Sequence, residues 1–381
     1  MAARSTHVGV VLHHRAYRDA GGNLFVKDVW GGFLDELADR LGVRFTLYTS
    51  RDRRPRQRFQ YFAIRGSRHL TLKCPAQPPA GVALVPFLVD LPRLDAALVF
   101  LPTLRGLLAV VACRALRVPV FVYSGTGGNA YAGGGWSIPL RAGVYARLEG
   151  LAIRRARGAV VAGAELEAGF RARMPTHRTA PITGLTEPQA VGEKCREVLY
   201  VGSLSAHKGI PELLEAWRRL DGGVRAGWRL RLVGSGPLED DVRRFGAQRW
   251  DCDVLGYVPH GPALYSAYAR AGIFVLPSHN EGFPRVLLEA AAHRCALVAT
   301  PVGGIPNAFA DSYEPEWVRP ADPRSLADAL SRTMQGGWQR SGAEALGWFQ
   351  ALFSGRDRVQ EIADFMRARA PELVALEDPG G

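Results

Sequence analysis

Two glutamates, Glu281 and Glu289, stand with seven residues between them in the stretch SHNEGFPRVLLEA, Ser278 to Ala290. A Gly-Phe-Pro step, Gly282 to Pro284, separates them and leads into an apolar run. Proline suits a first helical turn, because its missing N–H would have no partner there. The pattern therefore predicts a helix starting at Gly282 to Pro284. Its free amides and the positive end of its dipole make an anion site suited to a diphosphate. Glu281 would sit just before that site and Glu289 about one and a half turns inside it. Spacing alone leaves a plainer pairing open: a helix-start acid contributing ~0.3–1 kcal/mol, and a solvated helix residue.

The elements that would position these acids read clearly. HVGVVL, VRFTLYT, AALVFL and VPVFVYS look like buried strands, the segment from Leu24 to Leu41 like an amphipathic helix, and LEGLAIRRARGAVVAG like a helix running into a strand. A polar stretch follows, from Thr186 to Arg196. The rhythm then restarts with the strands EVLYVGSL, WRLRLVGSG, GIFVLPS and ALVAT. Between and after them come the helices GIPELLEAWRRL, PLEDDVRRFGAQ, GPALYSAYARA, FPRVLLEAAAH and DPRSLADALSRTM. This is the βαβ alternation of α/β domains with parallel sheets. A final helical stretch, 343–369, is not followed by a strand. The expected division is 1–190, 191–345, a helix over 346–370 crossing back to the first domain, and a frayed tail over 371–381. Ligands of open α/β sheets bind beyond the carboxyl ends of the strands. In the second half those ends carry Gly202-Ser203, Gly234-Ser235-Gly236, Gly256-Tyr257 and the Ser278–Gly282 segment.

Composition narrows the class. A chain of 381 residues, 47% hydrophobic, exceeds one ordinary core and predicts two domains. The most apolar stretch, LLAVVACRALRVPVFV, is broken by Arg114 and Arg117 and falls short of a membrane span. The N-terminal apolar run is too short for a secretion signal. Five scattered cysteines form no CxxC pair, which fits reduced thiols in a cytoplasmic protein. Residues 1–190 carry 26 Lys and Arg against 12 Asp and Glu, a net of +14; the remainder carries 22 against 24, a net of −2. One half alone should be drawn to something anionic.

The run from Glu197 to Asn307 resembles the nucleotide-sugar half of glycosyltransferase family four, retaining enzymes of the GT-B fold. The pieces YVGSLSAHKGIPELLEAW, LRLVGSGPLEDDV, VLGYVPHGPALYSAYARAGIFVLPSHNEGFPRVLLEAAAHRCALVATPVGGIPNAF and RPADPRSLADAL occur in the family's order and spacing. Glu281 and Glu289 match its Glu, seven residues, Glu signature. The first half matches more loosely, through the turn at Gly21-Gly22. The resemblance implies two Rossmann-like domains facing each other across a cleft. It also implies transfer of a hexosyl unit from a nucleotide diphosphate sugar to a hydroxyl, with retention; nothing in the sequence suggests a metal, so the expectation is metal independence with no cofactor. Glu289 would then accept from the ribose hydroxyls and Glu281 would contact the donor sugar. Gly282 and Phe283 amides would serve the sugar and diphosphate. Lys208 would neutralise the leaving diphosphate. Gly234, Gly236 and Pro237 would form the turn beside the nucleotide, and the backbone at Tyr257-Val258 would meet the base. Gly21, Gly22, Gly202 and Ser203 complete the expected donor set.

Three positions depart from the family pattern. Ser203 stands where arginine is usual, removing a bidentate cation, so Lys208 with Arg285 or His207 must serve. Arg294 replaces a glycine and reads as a surface change. Tyr123 or Ser124 stands where many members carry a histidine. Two further stretches invite a choice. The loop SGTGGNAYAGGGW, Ser124 to Trp136, is either a flexible surface loop or an acceptor-side loop using Ser124, Asn129, Tyr131 or Trp136. RDRRPRQRFQYF offers Arg51, Arg53, Arg54, Arg56 and Arg58. It is either a solvated basic loop or a contact for an anionic membrane leaflet or a lipid-diphosphate acceptor; no pattern supports nucleic acid. His13, His14 and His69 lack metal-ligand spacing and read as ordinary residues. The competing functions are a nucleotide-sugar epimerase of the same fold and a non-catalytic sugar-nucleotide-binding scaffold. The expected location is cytoplasmic, soluble or peripheral on the inner face of the plasma membrane, within glycan, polysaccharide or glycolipid assembly.

Overall fold

In a computed structural model, residues 6–52, 61–75, 84–125, 142–179, 182, 185, 187–189, 192–281, 284–309, 313–353 and 357–373 are described. The chain divides into two compact units: Met1–Ile182 with Arg356–Gly381, and Thr183–Gly355.

Unit 1 runs β1 (His7–Val11), β2 (Ala16–Arg18), β3 (Leu24–Lys27), α1 (Asp28–Leu41), β4 (Arg44–Tyr48), β5 (Arg51–Asp52), β6 (Tyr61–Ala63), β7 (Leu70–Lys73), α2 (Val85–Asp90), β8 (Ala96–Leu101), α3 (Leu104–Ala115), β9 (Val120–Ser124), α4 (Ala142–Ile153), β10 (Gly158–Ala162), α5 (Ala164–Arg171) and β11 (Thr176–Thr179). Seven strands form a parallel sheet in the order β11-β10-β9-β8-β1-β4-β7, and β5-β2-β3-β6 form a small side sheet. The central strands are buried end to end, as strands covered on both faces must be. One face packs Leu34 and Leu37 of α1 against the sheet; the other packs Phe87 of α2, Leu107 and Val110 of α3, and Ile153 of α4.

Unit 2 runs β12 (Cys195–Val201), α6 (Ile210–Arg219), α7 (Gly222–Arg225), β13 (Arg229–Val233), α8 (Glu239–Ala247), β14 (Cys252–Gly256), α9 (Pro262–Arg270), β15 (Ala271–Leu276), α10 (Arg285–Ala292), β16 (Ala296–Ala299), α11 (Ile305–Phe309), β17 (Glu316–Trp317), α12 (Pro323–Gln335) and α13 (Trp338–Phe353). Its parallel sheet has the order β14-β13-β12-β15-β16-β17, the 3-2-1-4-5-6 pattern of doubly wound dinucleotide-binding folds. Asp322 caps α12 by accepting from the amides of Arg324 and Ser325, both at 2.9 Å. The chain then returns to unit 1 as α14 (Arg358–Arg367). There Ile362, Ala363 and Met366 join the core beside α1.

Three expectations change. Leu24–Lys27 is a strand, because its backbone pairs antiparallel with β2 and β6 instead of continuing α1. The helical stretch over 343–369 is two helices, α13 and α14, and α13 starts earlier, at Trp338. Pro284 is extended at φ −78°, ψ 113° and precedes the first turn of α10, which opens at Arg285.

Candidate active site

The strand order of unit 2 reverses between β12 and β15, so the loops leaving these two strands bound the crevice where ligands of such sheets bind. They are Gly202–Gly209 and Pro277–Pro284, and they are tied together. The His279 amide donates to the His207 carbonyl at 2.9 Å. Lys208 Nζ donates to Glu281 Oε1 at 2.5 Å. Gly209 lies at φ 73°, and a Cβ there would sit 1.9 Å from the Pro277 carbonyl oxygen. Only glycine allows that approach, so it sets how closely Lys208 meets the second loop.

Glu281 is held from two sides. Ser278 Oγ donates to the same Oε1 at 2.7 Å, and the Ser278 carbonyl accepts from Thr300 Oγ1 at 2.5 Å. The Glu281 side chain is 9% exposed and that of Lys208 23%. The pair is thus half-dry, with a cation and an anion both at the mouth of the switch point.

Glu289 is 5% exposed, on the inward side of α10. Tyr268 of α9 donates its hydroxyl to Oε2 at 2.9 Å, and His260 Nε2 donates to Oε1 at 3.2 Å. The Tyr265 hydroxyl lies 3.3 Å from His260 Nδ1. His293 Nδ1 donates to the Glu289 carbonyl at 2.7 Å. Burial pushes the Glu289 carboxyl up. The His260 and Tyr268 hydrogen bonds and the charges of His260 and Arg285 outweigh it, holding the group below its ordinary value. Burial, reinforced by the carboxylate, pushes the Tyr268 phenol far up, so it stays a donor. Glu289 is therefore a buried, charged acceptor with its lone pairs pinned in place.

The remaining rim is backbone. The Gly202 amide donates to the Val233 carbonyl at 3.0 Å, Leu204 to Ser235 at 3.1 Å, and Gly234 to Gly256 at 2.8 Å. Gly234 has φ 147°, and a Cβ there would fall 1.8 Å from the Gly202 carbonyl oxygen. Gly202, Ser203, Gly234, Gly236 and Pro237 thus form one continuous edge. Tyr257 and Val258 continue β14, at the sheet border, with Val258 packed on the unit's core.

Gly21 and Gly22 belong to unit 1, in a turn closed by the Gly22 amide on the Asp19 carbonyl at 3.1 Å. Ser124 ends β9 and is buried, and Arg51 opens β5. Gly282, Phe283, Asn129, Tyr131, Trp136, Arg53, Arg54, Arg56 and Arg58 lie outside the described residues. Sequence reasoning missed His260, Tyr268, Ser278 and Thr300. The histidine and tyrosines of YVPHGPALYSAY were the available signal for the first two. Among the described residues, no three or more His, Cys, Asp or Glu side chains gather as metal ligands would, and no helix is long and apolar enough to cross a membrane.

Residues 195–336 match the model of a family described as glycosyl transferases group 1. The chain is 35% identical over 137 residues to the putative teichuronic acid biosynthesis glycosyltransferase TuaC of Bacillus subtilis, covering 36% of this chain and 32% of that one. It is 32% identical over 215 residues to a D-inositol 3-phosphate glycosyltransferase of Geodermatophilus obscurus, covering 52% and 47%. It spans between about a third and about a half of the length of these curated relatives. Two solved structures share the fold over 95% of this chain. Sucrose-phosphate synthase from Thermosynechococcus elongatus has a TM-score of 0.69 at 19% identity, over 98% of its own chain. Anabaena HepE, in complex with UDP and glucose, has 0.65 at 14%, over 100%. The architecture is GT-B, with two Rossmann-like domains.

Proposed function

We propose, on the premise that residues 195–336 belong to the glycosyl transferases group 1 family, that this chain transfers a hexosyl unit from a nucleotide diphosphate sugar to an acceptor hydroxyl with retention of configuration and without a metal. The observation that carries the reading is the pair of acids around one strand-order reversal, Glu289 buried and Glu281 partly so, each held by its own donors.

In this reading Glu289 accepts from the ribose hydroxyls. Its charge is maintained by Tyr268 and His260, and its burial makes an unpaired partner costly. Glu281 receives the sugar hydroxyls. Lys208, already beside it, moves its charge onto the diphosphate as the glycosidic bond breaks. Transition-state charge is then met by a preplaced donor. The amides of Gly282 and Phe283 and the rim from Gly202 to Pro237 complete the donor pocket, with Tyr257-Val258 at the base. No second carboxylate is assigned as a nucleophile, so the acceptor attacks the same face the diphosphate leaves, and the leaving phosphate takes its proton. The acceptor, soluble or lipid-linked, falls to unit 1, with Ser124, Asn129, Tyr131 and Trp136 as candidate contacts. The basic stretch from Arg51 to Arg58 would draw it, or an anionic leaflet, closer. The role fits glycan or polysaccharide assembly in the cytoplasm.

Incubating the protein with a panel of nucleotide diphosphate sugars, without acceptor, tests the reaction class. Mass spectrometry should find one donor hydrolysed to nucleoside diphosphate and free sugar. Conversion of a donor to its epimer would replace this reading with isomerisation, and binding without turnover of any donor would replace it with a scaffold.

A further inference from the structure

Eleven large hydrophobic side chains are exposed among the described residues, and nine of them fall between Val85 and Leu151. They recur at helical spacing. On α2 they are Val85, Leu88 and Val89; on α3 Leu104, Leu108 and Val111; on α4 Leu148 and Leu151. The three helices are neighbours and pack on the same face of the unit 1 sheet, since Phe87, Leu107 and Ile153 share one core cluster while α1 and α14 serve the other. The helices α2 and α3 are therefore apolar inward and apolar outward, where a helix facing water alternates, and α4 adds Leu148 and Leu151 beside the exposed Arg147. A contiguous apolar surface of this kind marks an interaction site.

A cavity opens at the edge of that surface. It is lined by Val111, Arg114, Arg117, Val118, Arg155 and Arg157, among others, and no carboxylate lines it among the described residues. Arg114 is fixed to α4, its Nη1 donating to the carbonyls of Leu151 and Ala152 at 3.0 and 3.2 Å. Arg157 comes no nearer to Glu372 than 3.9 Å. Leu116, 53% exposed, stands between Arg114 and Arg117. The cavity lies where the chain enters β9, the end of the sheet opposite the strand carboxyl ends.

We propose that the outer face of α2, α3 and α4 docks on an anionic phospholipid bilayer, with a headgroup phosphodiester seated among Arg114, Arg117, Arg155 and Arg157. The apolar ridge enters the acyl boundary while the arginine fork takes the phosphate, a pairing guanidinium groups favour. The +14 net charge of residues 1–190 supplies the longer-range attraction. The surface differs from the Arg51–Arg58 stretch that charge alone singles out. It needs no assumption about the reaction at unit 2.

Vesicle co-sedimentation of the whole chain tests it, with phosphatidylcholine vesicles carrying or lacking phosphatidylglycerol. The wild type should pellet only with phosphatidylglycerol and release as salt rises. Arg117→Asn with Arg155→Gln should weaken pelleting at least about tenfold; asparagine is chosen because Arg117 has φ 59°. Leu108→Glu with Leu151→Glu should do the same, and neither pair should change the melting temperature or the affinity for UDP. Free glycerol phosphate at millimolar concentration should not release the wild type, since a soluble phosphate lacks the apolar half of the contact. Three results would overturn the proposal. These are no pelleting at low salt, loss of pelleting only on changing Arg51 and its neighbours, and a dimer in solution that Leu108→Glu with Leu151→Glu dissolves. The last would make a second copy the occupant.

Discussion

The two units use the same doubly wound order, with one more strand in unit 1, for opposite ends. Unit 2 sets Lys208, Ser278, Glu281, His260, Tyr268 and Glu289 near the strand carboxyl ends, where they satisfy one another, and pairs the arginines near its strand amino ends with Glu197, Asp251 and Asp253; only Trp250 and Leu255 among its described large hydrophobics are exposed. Unit 1 places apolar side chains outward on three helices and gathers arginines at the strand amino ends. One unit gathers mutually paired polar side chains at its strand-order reversal, and the other presents an extended apolar surface. A doubly wound sheet thus fixes where a ligand crevice falls, while the helices' outer faces stay open to separate use.

The sharpest way to break this contrast is at Glu281. Glu281→Ala should lower transfer by about 10²–10³-fold, the range for one contact made at the reacting centre, while the affinity for UDP, measured by calorimetry, stays near wild type. Glu289→Ala should show the reverse order, with UDP affinity falling first. Equal UDP affinity in all three proteins would remove the ribose role.

Lys208→Ala comes next. A charge-assisted hydrogen bond contributes roughly 1.5–3 kcal/mol, about 10–150-fold in rate. Ser203 offers no second cation, so the loss should fall at the upper end, and Ser203→Arg should tighten UDP binding. Near-full turnover by Lys208→Ala would give the phosphate to another cation.

A smaller effect is expected at Tyr268→Phe. Glu289 would keep His260 but lose its 2.9 Å donor, costing about 1–3 kcal/mol. Chemical denaturation followed by tryptophan fluorescence should register it, with a parallel loss of UDP affinity. Full stability with full affinity would mean that Glu289 is not pinned from α9.

The smallest effect separates the units by pH. Burial raises the Glu149 carboxyl of α4 from 4.5 to about 7, against the charge of Arg173. A carboxyl with a raised folded-state pKa favours the fold when protonated. That stabilisation is complete below about pH 4.5 and is lost as pH rises through 7. Burial lowers His13 from 6.5 to about 3, which acts in the opposite sense, with stability falling below pH 6.5. The informative quantity is therefore the difference between wild type and Glu149→Gln across pH 5 to 8. It should shift by a few degrees of Tm, with UDP affinity untouched. A flat difference would place Glu149 in water.

Much of this was legible in the sequence where contacts are local. The strands of both sheets follow from apolar runs, and α12 from Asp322 before its proline. Leu24–Lys27 misled because its apolar pattern continues that of α1, while its strand pairing depends on Tyr61–Ala63, far along the chain. At the site, the spacing of Glu281 and Glu289 was visible. Lys208 was visible too, but its bond to Glu281, 73 residues away, was not, nor was the donor Tyr268, 21 residues from Glu289. The outward face of α3 was hidden for a different reason. In LLAVVACRALRVPVFV nearly every position is apolar, and hydropathy does not say which side of such a helix meets a sheet.

The return of α14 to unit 1 also sets an order in time. Its residues Ile362, Ala363 and Met366 cover the α1 side of the first sheet. Ribosomes add roughly 5–20 residues per second, so α14 emerges roughly 10–35 s after β11 is complete. For that interval the first-made domain waits with one apolar flank uncovered, a stretch in which chaperone capture and aggregation compete. Unit 2, contiguous between Thr183 and Gly355, has all its strands and helices before the wait ends. The nascent molecule therefore matures from its middle, and the half that is synthesised first is the last to be sealed.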